Sequence, residues 1–229
     1  AVIGTTLMLA YNFNFAPIWR NWDKLIDGLL LGLGLAAVSL LAGAVLGLLA
    51  AYGRLSPRRW LRASAWTYGE LFRNSPLLLL VFFVFFGLPQ LGVSILGKIE
   101  SFVLTLSLYA GAYLTEVFRA GLAAVPSGYT DAAKAIGLRP WQRQVHVVWP
   151  VMFRVTLPAL GNNLISLFKD TSLAAAIAVP ELTFTARQIN ANTFRVMEAW
   201  LTASALYLAT AYAIALLLRL VERRYAMIR

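Results

Sequence analysis

The sequence predicts an all-α membrane protein with about five transmembrane helices. Hydrophobic residues make up 60% of the 229 positions, and the mean hydropathy is +0.70, too apolar for an ordinary soluble domain. Five segments approach the ~20 apolar residues needed to cross a bilayer. They run over 27–52, 67–89, 102–122, 157–179 and 199–220. Basic residues gather in alternate connections between these segments, as expected of loops sorted by charge.

Residues 1–26 read as an N-terminal interfacial segment. Tyr11 to Lys24 is amphipathic and carries Trp19 and Trp22, residues suited to the membrane–water boundary. No A-x-A-like site follows a basic stretch near the N-terminus, so no signal peptide is expected. Residues 27–229 then form one transmembrane domain. Its first span is rich in glycine. Gly28 and Gly32, then Gly43 and Gly47, make two small-xxx-small pairs, which let helices approach closely in lipid. In the second span, Arg73-Asn74-Ser75-Pro76 should produce a kink and free backbone carbonyls.

The third and fourth spans are joined by a long connection over 123–155. It is polar and carries more helix punctuation than a simple loop needs. Thr130 is placed as an N-cap with Asp131 in the first turn. Ala132, Ala133 and Ala135 are strong helix formers of little bulk, and Gly137 is the stop residue. Pro140 opens a second short helix, which Pro150 is expected to end. The result is two short helices about a glycine elbow. Its small-residue tip either lies on the membrane surface or receives the backbone of a partner.

Arg54, Arg58, Arg59 and Arg62 follow the first span. Arg119, Lys134, Arg139, Arg143 and Arg154 surround the long connection. Arg219, Arg223, Arg224 and Arg229 follow the fifth span. The positive-inside rule makes these regions cytoplasmic, with the N-terminus outside and the C-terminus inside. Six ionisable residues fall within spans, where an unpaired charge is costly. Glu70 with Arg73, and Glu116 with Arg119, are spaced to pair on one helix face. Lys169 and Asp170 are adjacent and cannot face each other. They either line a polar path, together with Asn74 and Thr171, or are locked to other helices, Lys169 to Glu116 for example.

The net charge of +10 fits basic loops of a membrane protein; no basic stripe interleaved with exposed aromatics points to nucleic acid. There is no cysteine, hence neither disulfide nor thiolate metal site. No G-x-x-x-x-G-K-[ST] phosphate loop, H-E-x-x-H or G-x-S-x-G occurs. The chain is therefore expected to hydrolyse no ATP and to bind no metal or cofactor. His146, the only histidine, reads as a surface residue. The remaining classes are a membrane subunit driven by a partner, a small secondary transporter or channel subunit, and a membrane enzyme. An odd number of spans disfavours a self-contained carrier, and missing catalytic constellations disfavour an enzyme.

D-A-A-K-A-I-G (Asp131–Gly137), followed by Trp149-Pro150 and Leu157-Pro158, resembles the EAA loop of ABC-importer permeases. R-N-S-P-L-L-L-L-V-F-F-V-F-F-G-L-P (Arg73–Pro89), L-Y-A-G-A-Y-L-T-E-V-F-R-A-G (Leu108–Gly121) and N-N-L-I-S-L-F-K-D-T-S-L (Asn162–Leu173) resemble its polar amino-acid branch, the histidine, glutamine and arginine type. The family has Glu where this chain has Asp131, and commonly Leu at Trp149. The resemblance implies a bacterial inner-membrane permease subunit importing polar amino acids. It implies a second permease chain, identical or homologous, and two ATP-binding subunits that hold the ATP and Mg. It also implies a periplasmic or lipid-anchored substrate-binding protein. On this reading Thr130, Asp131, Ala132, Ala133, Lys134, Gly137 and Arg139 form the element that docks on the ATPase and couples hydrolysis to alternating access.

Overall fold

The computed structural model describes residues 11–226, the last three as backbone alone. Arg229 and the first ten residues of the N-terminal segment lie outside the described residues, as does the Arg224 side chain. After a single turn at Ala16–Trp19 come α1 (Trp22–Leu55), α2 (Arg59–Arg73), α3 (Leu77–Gln90), α4 (Lys98–Ala123), α5 (Ser127–Ala135), α6 (Pro140–Ile177), α7 (Leu182–Thr193) and α8 (Val196–Ala226). Regular structure among the described residues is entirely helical. Helices α1, α4, α6 and α8 are long and apolar enough to cross a membrane; α2 with α3 makes a fifth span if the bent pair counts as one.

Helix α4 lies at the centre. Phe102, Leu106 and Ala110 are buried against Leu35 and Ala36 of α1, Leu77 and Val81 of α3, and Leu167 and Phe168 of α6. The glycines of α1 set how near its neighbours come. A Cβ on Gly43 would lie 2.8 Å from the Ala110 Cβ, and one on Gly47 would lie 2.9 Å from the Gly111 carbonyl oxygen. Further up the same stripe, Gly28 abuts the Glu181–Leu182 backbone and Gly32 faces Thr171. Both small-residue pairs thus serve packing, as their spacing suggested.

The second span is broken at the kink expected from Arg73-Asn74-Ser75-Pro76, sharply enough to make two helices of it. Helices α2 and α3 meet at 104°. Pro76 has no N–H to donate, and its ring disfavours a helical Ser75. The bend is stabilised by side chains that donate to the last-turn carbonyls of α2. Arg73 donates to the Gly69 carbonyl (3.2 Å), Asn74 to that of Glu70 (2.9 Å) and Ser75 to that of Leu71 (2.6 Å).

The fourth span is also longer than expected. Helix α6 runs unbroken for 38 residues, so Pro150 does not end it. A π turn at Gln144–Val148 immediately precedes Trp149-Pro150. The wider turn accommodates the ring and the carbonyl that the proline cannot bond. At its far end α6 tightens to a 3₁₀ turn, Thr171–Ile177, and stops at left-handed Ala178. Helix α7 was not foreseen. Its N-cap, Glu181, is fully buried and accepts from the Thr183 and Phe184 amides at 2.9 and 2.8 Å and from the Tyr207 hydroxyl at 2.7 Å. Burial raises its carboxyl above the ordinary range, and the Tyr207, Thr183 and Phe184 hydrogen bonds oppose that rise. Among the described residues before α1 there is one helical turn, Ala16–Trp19. The chain is fastened there by buried Glu198, which accepts from the Tyr11 hydroxyl and, at 2.8 Å, from the Asn14 amide.

Gly47→Val should separate α1 from α4 and lower stability by about 1–3 kcal/mol, the usual range for overpacking. Gly34→Ala is the control, because nothing lies within 4 Å of its added Cβ. Melting in detergent checks both: Gly47→Val should melt well below the parent and Gly34→Ala beside it.

Candidate functional site

Two regions carry unusual chemistry, and α6 reaches both. The first is the connection between α4 and α6. Helix α5 begins at Ser127, one turn earlier than expected, with Pro126 at its N-cap. Thr130 is therefore an interior residue whose hydroxyl donates to the Ser127 carbonyl at 2.7 Å, not a cap. Asp131 pairs with Lys134 at 2.7 Å, and both side chains are largely exposed, so the pair contributes little to stability. Helix α5 ends where Gly137 was expected to stop it. At φ +80, the Gly137 amide donates to the Lys134 carbonyl and the Leu138 amide to that of Ala133, at 2.9 and 3.0 Å. These two bonds make a Schellman motif. The next helix opens at Pro140, and the Arg139 amide donates to the Gln142 side chain at 2.8 Å.

Only Ala133 of α5 is buried. Tyr129, Asp131, Ala132 and Ile136 are uncovered, Ile136 to 76%. The helix thus holds to the molecule by one small residue and offers the rest of its surface. Its base is firmer. The Trp149 indole donates to the Tyr52 hydroxyl at 2.8 Å, and that hydroxyl donates to Gln144 at 2.9 Å. This relay ties the π turn of α6 to α1. His146 is exposed beside Trp141.

The predicted pairs inside the spans are both formed and are joined in one cluster. Glu70 lies 2.8 Å from Arg73, and Glu116 lies 2.7 Å from Arg119. Glu116 also approaches Arg54 at 3.7 Å and Arg73 at 3.9 Å, and Asn74 donates to Glu70 at 2.8 Å. One carboxylate therefore joins α1, α2 and α4. The suggested bond from Lys169 to Glu116 is not made, since arginines occupy that carboxylate.

The second region is a cavity of about 240 Å³ between α4 and α6. Tyr109 and Tyr113 of α4 line one side; Asn163, Ser166 and Asp170 of α6 line the other. The α6 positions recur at intervals of three and four, which places them on one face. The Tyr109 hydroxyl donates to that of Tyr113 at 3.3 Å, and Tyr113 donates to the Arg73 carbonyl at the α2–α3 bend at 3.5 Å. Among the described residues Asp170 has no ion-pair or hydrogen-bond partner, although it is half-buried. Its neighbours diverge from it. Lys169 is exposed and does not line the cavity. Thr171 is fully buried and donates to the Phe168 carbonyl at 2.7 Å. The expected set of Glu70, Arg73, Asn74, Glu116, Lys169, Asp170 and Thr171 is thus divided into an ionic cluster, one cavity carboxylate and two residues pointing elsewhere. Asn163, Ser166, Tyr109 and Tyr113 were not singled out as site residues from the sequence; their spacing of three and four along α6 and α4 was the available signal.

A family model described as "Binding-protein-dependent transport system inner membrane component" matches residues 43–227. The glutamine transport system permease protein GlnP of Escherichia coli (strain K12) is 33% identical over 215 residues, spanning 93% of this chain and 97% of that protein. The L-cystine transport system permease protein TcyB of Bacillus subtilis (strain 168) is 35% identical over 204 residues, 89% of this chain and 87% of that one. A crystal structure of an amino acid ABC transporter with histidines superposes with a TM-score of 0.85 at 29% identity, covering 93% of this chain and 100% of the other. The inward-facing MetNI methionine ABC transporter shares the fold, with a TM-score of 0.73 at 21% identity over 90% of this chain and 98% of the other.

Glu116→Gln should lower stability by about 1–2 kcal/mol. That is less than the ~3–5 kcal/mol for breaking a fully buried pair, because 26% of the Glu116 side chain remains exposed. Melting temperature in detergent, compared with Asp131→Asn as an exposed-pair control, is the measurement; equal melting of the two variants would contradict the cluster's structural role.

Proposed function

The chain belongs to the family of binding-protein-dependent transport system inner membrane components, and from that premise we propose that it is the membrane subunit of an ATP-driven importer of polar amino acids. The glutamine and cystine of its relatives' names are α-amino acids, and both relatives align over most of their length. The positive-inside rule puts α5 and the C-terminus in the cytoplasm and the N-terminus outside. Two chains pair around a central path. Tyr113 and Ser166 of the cavity are exposed in the single chain, and α8 exposes Leu208, Tyr212, Leu217 and Leu220. A substrate-binding protein delivers the amino acid, and two ATP-binding subunits hold ATP and Mg.

The observation that carries coupling is the exposed helix α5 on its glycine elbow. Its alanines let a partner's backbone come close, and Asp131 and Arg139 offer charged anchors at its edges. ATP-driven movement of the partner displaces α5, and the displacement enters α6 at Pro140. The observation that carries the substrate class is the Asp170 cavity. A zwitterion leaving water needs a partner for each charge. Asp170 meets the ammonium; Asn163, Ser166, Tyr109 and Tyr113 supply neutral donors for the carboxylate and the side chain. Lys169 would take part only from another face, for example towards the second chain. A carrier or channel without an ATPase is the alternative, which purification from the native membrane separates: a phosphate-loop ATPase co-elutes only with an importer subunit.

Transport by the reconstituted complex across a panel of amino acids tests the reading. Asp170→Asn should abolish uptake with near-parental melting, because the carboxylate has no internal partner to lose. Parental uptake by that variant would place the substrate elsewhere.

A second expectation concerns the elbow. Gly137→Leu puts a side chain at φ +80, a strain of ~1–2 kcal/mol. The variant should insert normally but lose most substrate-stimulated ATP hydrolysis, and Asp131→Lys should recover less ATPase in a pull-down than Asp131→Glu. Normal coupled hydrolysis by Gly137→Leu would remove the elbow from the mechanism.

A further inference from the structure

At the bundle end where α1 finishes, a cavity of about 560 Å³ opens between the last turn of α1, the start of α2 and the last turn of α4. It is lined by Arg54, Arg59, Arg62 and Arg119, with Leu55 and Trp66 beside them. Four guanidiniums from three helices converge on space that no side chain of the described residues fills. Among the described residues Glu116 is the one carboxylate paired with any of them, 2.7 Å from Arg119 and 3.7 Å from Arg54. It is shared with Arg73 at 3.9 Å. Arg59 and Arg62 have no carboxylate partner among the described residues; Arg62 donates only to the Ser56 carbonyl, at 3.3 Å. The site therefore holds a surplus of positive charge on planar donors whose geometry suits phosphate oxygens.

We infer that this cavity binds the phosphate head group of an anionic phospholipid. The ends of membrane-crossing helices lie at head-group depth, and basic pockets between such helices are suited to anionic lipid head groups. The apolar residues select an amphiphile over a free anion. Leu55 and Trp66 are half-exposed at the cavity, and Trp60 is 65% exposed on the same amphipathic helix. Acyl chains fit against these groups while the arginines hold the phosphate, with Trp60 and Trp66 acting as interfacial anchors. The cavity volume lies within the ~300–1,000 Å³ of ordinary small-molecule sites. The bound lipid balances the arginine cluster and braces the α1–α2 connection. It is distinct from the Asp170 cavity and does not depend on which side of the membrane is cytoplasmic.

The test is native mass spectrometry of the full chain in detergent, titrated with phosphatidylglycerol or with phosphatidylcholine of the same acyl composition. The parent should retain phosphatidylglycerol about tenfold more tightly. Arg59→Gln combined with Arg62→Gln should abolish that preference, since two charges at roughly fivefold each near a membrane surface exceed it, and Arg219→Gln should leave it unchanged. Equal retention of the two lipids by the parent overturns the proposal, as does an unaltered preference in the double variant. Release of the lipid by millimolar inorganic phosphate would mean a free-anion site. Unchanged lipid binding with loss of a co-purifying protein would mean an acidic protein surface; each of these also overturns it. Should the double variant fail to insert, the lipid comparison and the phosphate competition on the parent decide the matter.

Discussion

Close contact between α1 and α4 is the constraint on which the other placements depend. In lipid, leucine gains nothing by leaving hydrocarbon for another helix, so association rests on packing and interhelical hydrogen bonds. Gly43, Gly47 and Gly111 supply that packing by letting backbone meet backbone. The Tyr68 hydroxyl donates across to the Leu108 carbonyl at 2.7 Å and draws α2 onto the same seam. Once α4 is fixed against α1 and α2, its remaining side faces α6. The polar cavity lies along that side, and the arginine cluster lies at its end.

Polar groups are placed where they satisfy another constraint of the membrane, that freed backbone and buried charge find internal partners. The α2–α3 bend weakens the backbone ladder at the end of α2, and the three residues before Pro76 add side-chain donors to its carbonyls. Glu116 draws arginines from three helices into one cluster. Asp170 stands apart because no side chain among the described residues answers its charge. An unanswered carboxylate in a small polar cavity is a weak element of a fold and a strong element of a binding site.

Much of the fold was legible because its signals are local. Apolar length located the long spans, small-residue spacing located the α1 stripe, and Gly137 marked a left-handed turn that only glycine adopts without strain. The errors came where a local rule met a non-local solution. Pro150 breaks an α-helical ladder, but a π turn absorbs it. Thr130 is a favourable cap, yet Pro126 starts the helix a turn earlier. Lys169 and Asp170 were expected to share one role, in a polar path or in a lock, but neighbours on a helix diverge by ~100°, and only Asp170 enters the cavity. The Trp149–Tyr52–Gln144 relay was invisible because it joins positions 97 and 92 residues apart, with no spacing to reveal it. Glu181 was equally hidden, since its burial depends on Gly28 far earlier in the chain.

The two candidate regions are linked by the simplest possible element. Helix α6 begins at Pro140, beside the exposed α5, and carries Asp170 near its far end. Thirty residues at 1.5 Å each separate them by ~45 Å. A displacement at one end reaches the other along a single covalent rod, without a chain of side-chain contacts that must each have two states. The rod has one widened turn, the π segment at Gln144–Val148, and the Tyr52 relay fastens it there to α1. On the coupling proposed above, this fastening would make the π turn the fixed point, and a push on α5 would then tilt the far end of α6 against α4. Tyr109 and Tyr113 sit on α4 and Asp170 on α6, so such a tilt would change the width of the cavity between them. The wide turn and its hydrogen-bond anchor together supply a fulcrum, which a straight helix ending at Pro150 would have lacked.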